Sequence, residues 1–127
     1  MLADVRDGLA GALSAGLPGV NVYRLPADNV TAPAVMIAGF SVTEIATGVF
    51  TRSVEIFAAV SHRNVSLLDD LDAIVDPESA DSIIGVLMAD PSLGGVASLR
   101  LETIGEYREL EIAGTSYYAA TVRFEVI

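Results

Sequence analysis

The chain has 127 residues, 52% of them hydrophobic, and a formal net charge of -10 at pH 7. This length suits one core, and we predict a single domain over residues 1–127. The acidic balance argues against sequence-specific binding of nucleic acid, because an acidic surface repels phosphates. The absence of cysteine excludes disulfides, thiolate nucleophiles and cysteine-based zinc sites. No apolar run reaches the length of a membrane span and no signal peptide is evident, so we expect no membrane contact and synthesis in the cytoplasm.

Apolar residues at helical spacing open the chain: Leu2, Val5, Leu9 and Leu13. They predict an N-terminal helix that ends at the Leu-Pro-Gly of residues 17–19. A short strand is expected over residues 20–24, and the prolines at 26 and 33 bound a connector. Residues 34–40 are apolar at successive positions, which predicts a central strand covered on both faces.

The next segment, residues 39–51, is too apolar for an ordinary solvated loop. It is interpreted either as a hairpin extension that packs on a neighbouring molecule or as a simple prolongation of the two flanking strands. In the following strand, residues 53–61, inward apolar positions alternate with outward polar ones, and Phe57 interrupts the polar side. The candidate subunit-interface residues are Phe40, Val42, Ile45, Val49, Phe50 and Phe57.

A helical middle follows the strand. We predict one helix from an N-cap at Asn64 to about Val75. A second helix is predicted from about Glu78 to Ala89, capped by Asp76 or Ser79. Three acids fall at spacings of three and four and form a possible acidic face: Asp69, Asp72 and Asp76. A solvated helix face explains them better than a calcium site, because calcium loops need ligands along a loop with a glycine turn.

The last third of the chain is predicted to form strands. Strands are predicted over residues 98–106 and 110–112, and Gly114 marks a tight turn before the final strand. That strand alternates with period two, and its inward residues are Tyr118, Ala120, Val122, Phe124 and Val126. The element order predicts an α+β fold, with a largely antiparallel sheet and helices packed on one face.

Catalytic chemistry finds little support in the sequence. His62 is the only histidine, lysine is absent, and neither G-x-S-x-G nor a phosphate-binding glycine loop occurs. We therefore predict no enzyme, no catalytic or metal-binding residues and no cofactor. Two other classes stay open: a small hydrolase or thioesterase that uses carboxylates with the tyrosines, and a peptide- or ligand-binding module with an exposed sheet edge.

A family likeness covers nearly the whole chain and lies in the order and spacing of its elements. Five segments carry it: LADVRDGLAGAL, GVNVYRLPADNVTAPAVMI, SVEIFAAVSHRNVSLLDDLDAIVD, ADPSLGG and EYRELEIAGTSYYAATVRFEVI. In these segments the chain resembles the tail terminator proteins of siphophages that infect actinobacteria. Neck and other head–tail connector proteins share this size and style and form the alternative.

The resemblance implies a structural virion protein of the tail or neck, made in the host bacterium. Such proteins share an α+β fold and close into a hexameric ring of identical subunits. The ring caps the tail tube protein, ends tube polymerisation and meets the head–tail connector protein, while DNA passes through without specific binding. An acidic lumen formed by Asp69, Asp72 and Asp76 would suit this passage, since it repels phosphates. The family supplies no short motif, so the interface residues named above rest on the sequence pattern alone.

Overall fold

The computed structural model describes residues 2–26, 29–63 and 66–127. In these residues three α-helices, six strands and one 3₁₀ turn follow one another along the chain. Their bounds are α1 Leu2–Gly16, β1 Asn21–Tyr23, β2 Ala34–Ala46, β3 Val49–Ser61, α2 Leu67–Val75, α3 Ile83–Ala89, the 3₁₀ turn Leu93–Gly95, β4 Leu99–Ile104, β5 Arg108–Ile112 and β6 Thr115–Val126.

The strands form one sheet in the order β1-β2-β3-β6-β4, and β5 pairs with β6 beside β4. Every strand pair is antiparallel except β1 with β2, which is parallel. The predicted α+β class with a largely antiparallel sheet is therefore confirmed. β6 pairs with three strands, because its residues from Tyr117 to Val126 pair with β3 while β4 and β5 share its other edge.

All three helices pack on one side of this sheet, as predicted, and we call it the helix side. Each helix contributes an apolar stripe at helical spacing to a common core. The fully buried residues of that core include Val5, Leu9 and Leu13 of α1, Leu71 of α2, Ile83 and Leu87 of α3, and Val54, Ile56, Val122 and Phe124 of the sheet. The inward alternation predicted for β3 and β6 is thus confirmed.

The opposite side of the sheet, called the open face here, carries a smaller apolar cluster. Its buried members are Val30, Ala34, Met36, Ala59, Tyr117 and Ala119. The Tyr117 hydroxyl donates a 3.0 Å hydrogen bond to the carbonyl oxygen of Val30, which ties the connector before β2 to this face. Residues 34–37 are buried on both sides of the sheet, whereas residues 38–40 are half-buried, so the cover predicted for residues 34–40 is confirmed only for the first four.

The start of the third helix differs from its prediction. Helix α3 begins at Ile83, and its N-cap is the buried Ser82, whose Oγ accepts a 3.0 Å hydrogen bond from the Gly85 amide. The two residues expected to cap the helix close local turns. The Asp76 carboxylate accepts from the Glu78 amide at 2.9 Å, and the Ser79 hydroxyl accepts from the Asp81 amide at 3.2 Å. Such side-chain turns compete with helical hydrogen bonds and delay the helix.

Two further predictions concern this half of the chain. The cap assigned to Asn64 lies outside the described residues, and the described part of the preceding helix runs over Leu67–Val75. The tight turn at Gly114 is confirmed, with positive φ at both Ala113 and Gly114 between β5 and β6.

Among the described residues, no helix is both long and apolar enough to cross a bilayer.

Candidate self-association site

Strands β2 and β3 continue beyond the rest of the sheet as a two-stranded ribbon, residues 42–51, which we call the arm. The pairing of β3 with β6 ends at Arg52, and β1 accompanies β2 only from Ala34 to Met36. Within the described chain, the arm therefore pairs only with itself. Thr47 and Gly48 connect its strands, and Gly48 takes the positive φ of +74° that the reversal requires.

Local sequence favours extended backbone in the arm even without sheet neighbours. Six of its ten residues are β-branched, and such side chains fit a pleated strand. The pairing runs from Val42 opposite Arg52 to Ala46 opposite Val49, with one irregularity between Glu44 and Ala46. The two interpretations of this segment are thus compatible in shape: the flanking strands are prolonged, and their prolongation is a hairpin.

The arm concentrates the exposed apolar side chains of the molecule. Eight large hydrophobic residues are exposed in the described chain, and four of them lie in the arm. Their exposed fractions are Val42 53%, Ile45 63%, Val49 49% and Phe50 47%. Apolar groups clustered in this way on a surface mark sites of interaction, whereas single scattered ones do not.

Apolar side chains lie on both faces of the arm. In the register, Phe40 is opposite the buried Val54, Val42 opposite Arg52, and Glu44 opposite Phe50. Side chains alternate along a strand, so Val42 and Phe50 lie on the helix side and Val49 lies on the other. A half-buried strand would be polar on one face. Each face of the arm therefore exposes apolar side chains to water, and an isolated two-stranded hairpin is only marginally stable.

Phe40 differs from the other interface candidates on β2. It lies at the root of the arm, is half-buried, and packs against the helix-side core. The guanidinium carbon of Arg6 lies 5.1 Å from the centroid of its ring, which is a cation–π contact between α1 and the sheet. The structure thus places Phe40 where it anchors the arm to the body.

Phe57 lies in a second surface, a groove on the open face. The groove has a cavity volume of about 190 Å³ and is lined by apolar side chains: Val30, Ala34, Met36, Phe57, Ala59, Leu110 and Ile112. At one end, the guanidinium carbon of Arg108 lies 5.8 Å from the centroid of the Phe57 ring. We call this surface the open-face groove. Its lining contains no histidine, serine or carboxylate, which leaves it without a nucleophile or a general base.

Sequence reasoning found Phe57 but missed its partners Met36, Leu110 and Ile112. A signal for them was present, because alternate residues of β5 are apolar although the strand is short and charged. By alternation Arg108, Leu110 and Ile112 share the open face, while Glu109 and Glu111 lie on the other side. Glu109 accordingly reaches His62, whose Nε2 lies 2.8 Å from its Oε1.

The structure does not bring the six interface candidates into one patch. Phe50 and Phe57 are seven residues apart on the same extended strand, which separates them by about 23 Å at the usual rise per residue. One subunit therefore presents two apolar surfaces at a distance, the arm and the open-face groove.

The three candidate acids lie on α2 and directly after it. Asp69 and Asp72 are exposed on α2, whereas Asp76 lies beyond the helix as its C-cap. Asp72 accepts a hydrogen bond from the hydroxyl of Tyr107, in the connection between β4 and β5. Desolvation, this hydrogen bond, and the charges of Asp72 and Asp76 raise the pKa of Tyr107 to about 12.

In the described residues, no group of three or more histidine and acidic side chains could hold a metal ion.

Comparison with protein-family models and with curated proteins finds no match for this chain. The proposal that follows therefore depends on the two apolar surfaces, the charge of the chain and the resemblance noted in its sequence.

Proposed function

We propose that this protein is a structural component of a phage tail, which assembles as a ring on the tail tube, ends tube polymerisation and joins the tail to the head connector. The observation that carries the proposal is the arm, with four exposed apolar side chains on a two-stranded ribbon. A body with a complete core does not need such an extension for its own stability. Its chemistry suits contact with other protein molecules.

Charge supports the arm as the place where copies of the chain meet. Each copy carries a net charge of -10, so two copies repel one another over most of their surfaces. The arm holds one charged residue, Glu44, and the lining of the open-face groove holds none. Depletion of charge is typical of the buried centre of a protein interface.

The positions of the two surfaces favour a ring over a symmetric dimer. A head-to-tail contact uses two different patches of one subunit, and it closes into a ring when the rotation between neighbours divides a full turn. The arm and the open-face groove are two such patches. The expected number of six subunits comes from the family resemblance. Acids that face the channel, among them the candidates Asp69, Asp72 and Asp76, would let DNA pass without binding.

A peptide-binding module is the second candidate, and the open-face groove is the observation that favours it. An apolar groove beside the edge strand β5 could take an extended segment of another protein. In that case the free protein would be a monomer, and the arm would have no role in self-association.

Two measurements test the proposed function. The first is the molar mass by light scattering after size exclusion over a range of concentrations, where a closed oligomer near six subunits is expected. The second is the length of tail tubes that polymerise from purified tube protein with and without this chain. We expect shorter tubes with this chain bound at one end. Tubes of unchanged length that bind none of it would contradict the proposal, and binding to the head connector alone would favour the neck-protein alternative.

A further inference from the structure

We infer that the arm of one copy docks into the open-face groove of the next copy, with Phe50 as the side chain that fills the groove. This inference deepens the proposed function, because it rests on self-association and specifies the contact that closes the ring. The contact is head-to-tail, so each subunit gives its arm to one neighbour and receives an arm from the other.

The arm cannot reach the groove of its own subunit. Both surfaces lie on β3, and the strand between Phe50 and Phe57 is continuous and extended over about 23 Å. β6 pairs with this strand from Arg52 to Ser61, so the stretch between the two surfaces is held in the sheet. An arm that enters the groove must therefore belong to another molecule.

The size of the groove suits a phenyl ring. Its volume is about 190 Å³, and an apolar cavity of about 150 Å³ is known to hold a benzene molecule. Phe50 is the only aromatic residue of the arm. Aromatic side chains that enter apolar pockets dominate the binding energy of many interfaces.

Charge favours a second copy as the occupant. In the arm, Glu44 lies directly opposite Phe50 and on the same face. In the groove, Arg108 lies against Phe57, and it is the one charged residue that β5 presents to the open face. Placing Phe50 in the groove brings Glu44 towards Arg108, which pairs opposite charges. Glu109 and Glu111 lie on the other side of β5 and do not oppose this approach.

The absence of cysteine from the chain allows a direct test. Two single-cysteine proteins are made, one with Ile45→Cys in the arm and one with Ile112→Cys in the groove. They are mixed and treated with a short bis-maleimide. We expect a cross-linked dimer in the mixture and not in either protein alone, because a head-to-tail contact joins arm to groove. Leu110→Cys, a half-buried position of the same lining, serves as the groove variant if Ile112→Cys does not fold.

The matched control replaces the groove cysteine by Val96→Cys, at an exposed apolar residue outside both surfaces. We expect about tenfold less cross-linked product with this control, because only docking raises the effective concentration of the two thiols. Equal yields with Val96→Cys and Ile112→Cys would overturn the docking inference.

Other outcomes separate the docking inference from the proposed function. If Ile45→Cys cross-links with itself, the arms meet each other in a symmetric contact and the inference is wrong. If tubes are capped or rings form without the mixed product, the inference fails and the function stands. If the groove cysteine cross-links to tube protein instead, the occupant is that protein and the inference fails. If no association and no capping occur, both proposals fail.

Discussion

The two halves of the β2–β3 hairpin have the same kinds of side chain in opposite surroundings. At the root, Val35, Ile37 and Val54 are fully buried between the sheet and the helices. In the arm, Val42 and Val49 are about half exposed, on the same two strands. The difference lies in the neighbouring strands, since β1 accompanies β2 only as far as Met36 and β6 accompanies β3 only as far as Arg52.

This contrast assigns different roles to the same residue types. A valine or isoleucine at the root contributes about 1.5–3 kcal/mol to folding by leaving water. In the arm, these side chains are still largely in contact with water in the single subunit, so most of the same free energy is gained only when the arm associates with another molecule. We therefore expect substitutions at the root to lower the stability of the monomer, and substitutions in the arm to lower its association.

The largest effect is expected from Phe124→Ala in the body. Phe124 is fully buried and pairs with Val54 across β6 and β3, where it contacts the common core. Loss of a buried phenyl ring leaves a cavity, and the free energy of unfolding should fall by about 3–5 kcal/mol. Urea denaturation followed by circular dichroism measures this loss. A decrease below about 1 kcal/mol would mean that this part of the core is not packed as described.

The arm variant Val42→Ser with Phe50→Ser should give the opposite result. The free energy of unfolding of the monomer should change by less than about 1 kcal/mol, because both side chains are already half exposed. Association should weaken by about 30-fold or more, since loss of an interface hot spot costs about 2 kcal/mol or more. Sedimentation equilibrium measures the association constant.

Leu25→Ser is the matched control for the arm variant, because Leu25 and Phe50 are both 47% exposed. Leu25 lies outside the arm and outside the lining of the groove, so association should stay unchanged. Equal weakening by Leu25→Ser would indicate a general effect of surface hydrophobicity and would remove the distinction between arm and body.

A smaller loss is expected from Ser82→Ala, again in the body. The Ser82 hydroxyl accepts from the Gly85 amide and donates to the carbonyl oxygen of Ser79 at 2.9 Å. Removing it leaves buried groups unpaired at the start of α3 and should lower the free energy of unfolding by about 1–2 kcal/mol. Ser14→Ala, at an exposed position of α1, is the control and should be nearly neutral. Equal effects of both variants would contradict the capping role.

The smallest effect is a dependence of stability on high pH in the body, because Tyr107 is 41% exposed and solvent screens its interactions. The pKa of Tyr107 is raised above its usual value of 10.0 to about 12, first by desolvation and then by Asp72. The folded state therefore favours the neutral phenol, and the stabilisation is complete below pH 10 and is lost as the pH rises from 10 to 12. The stability difference between the wild type and Tyr107→Phe should shrink over this interval.

Asp72→Asn sharpens this pH test. It removes the carboxylate but leaves the partial desolvation of the phenol, so the pKa of Tyr107 should move only part of the way back to 10.0. Phenolate absorbance during an alkaline titration follows the change. An unchanged titration in Asp72→Asn would show that the hydrogen bond to Asp72 does not contribute.

The sequence predicts the body better than it predicts the surfaces. Periodicity predicts helix α1 and strands β3 and β6, because each of them buries one face and the spacing of the apolar residues identifies that face. The predicted start of α3, with Asp76 or Ser79 as the cap, is wrong, because both residues close local turns and Ser82 caps the helix instead. The choice of cap also depends on tertiary contacts that the local sequence does not show. At Gly85 the chain packs so closely that a Cβ would lie 1.9 Å from the Ser79 carbonyl oxygen.

The open-face groove could not be predicted, because four separate segments build it. Val30 precedes β2, Met36 lies on β2, Phe57 on β3 and Leu110 on β5. Residues on β2, β3 and β5 come together through the pairing of β6 with β3 and β5, which no local pattern reveals. The arm was accessible to sequence reasoning because its residues are contiguous, so an excess of apolar side chains is visible in a single window.

The position of β6 in the sheet has a consequence for how the protein folds. β6 follows the other five strands in the chain, yet β4 and β5 pair with it alone and β3 has it as one of two partners. On the ribosome, the β2–β3 hairpin is therefore complete while the edge of β3 that β6 will occupy is still bare. Pairings between distant segments make folding slow, on the order of milliseconds to seconds for such topologies. During that interval the newly made chain exposes both the unpaired edge and the apolar arm, and surfaces of this kind make an incompletely folded chain prone to aggregation.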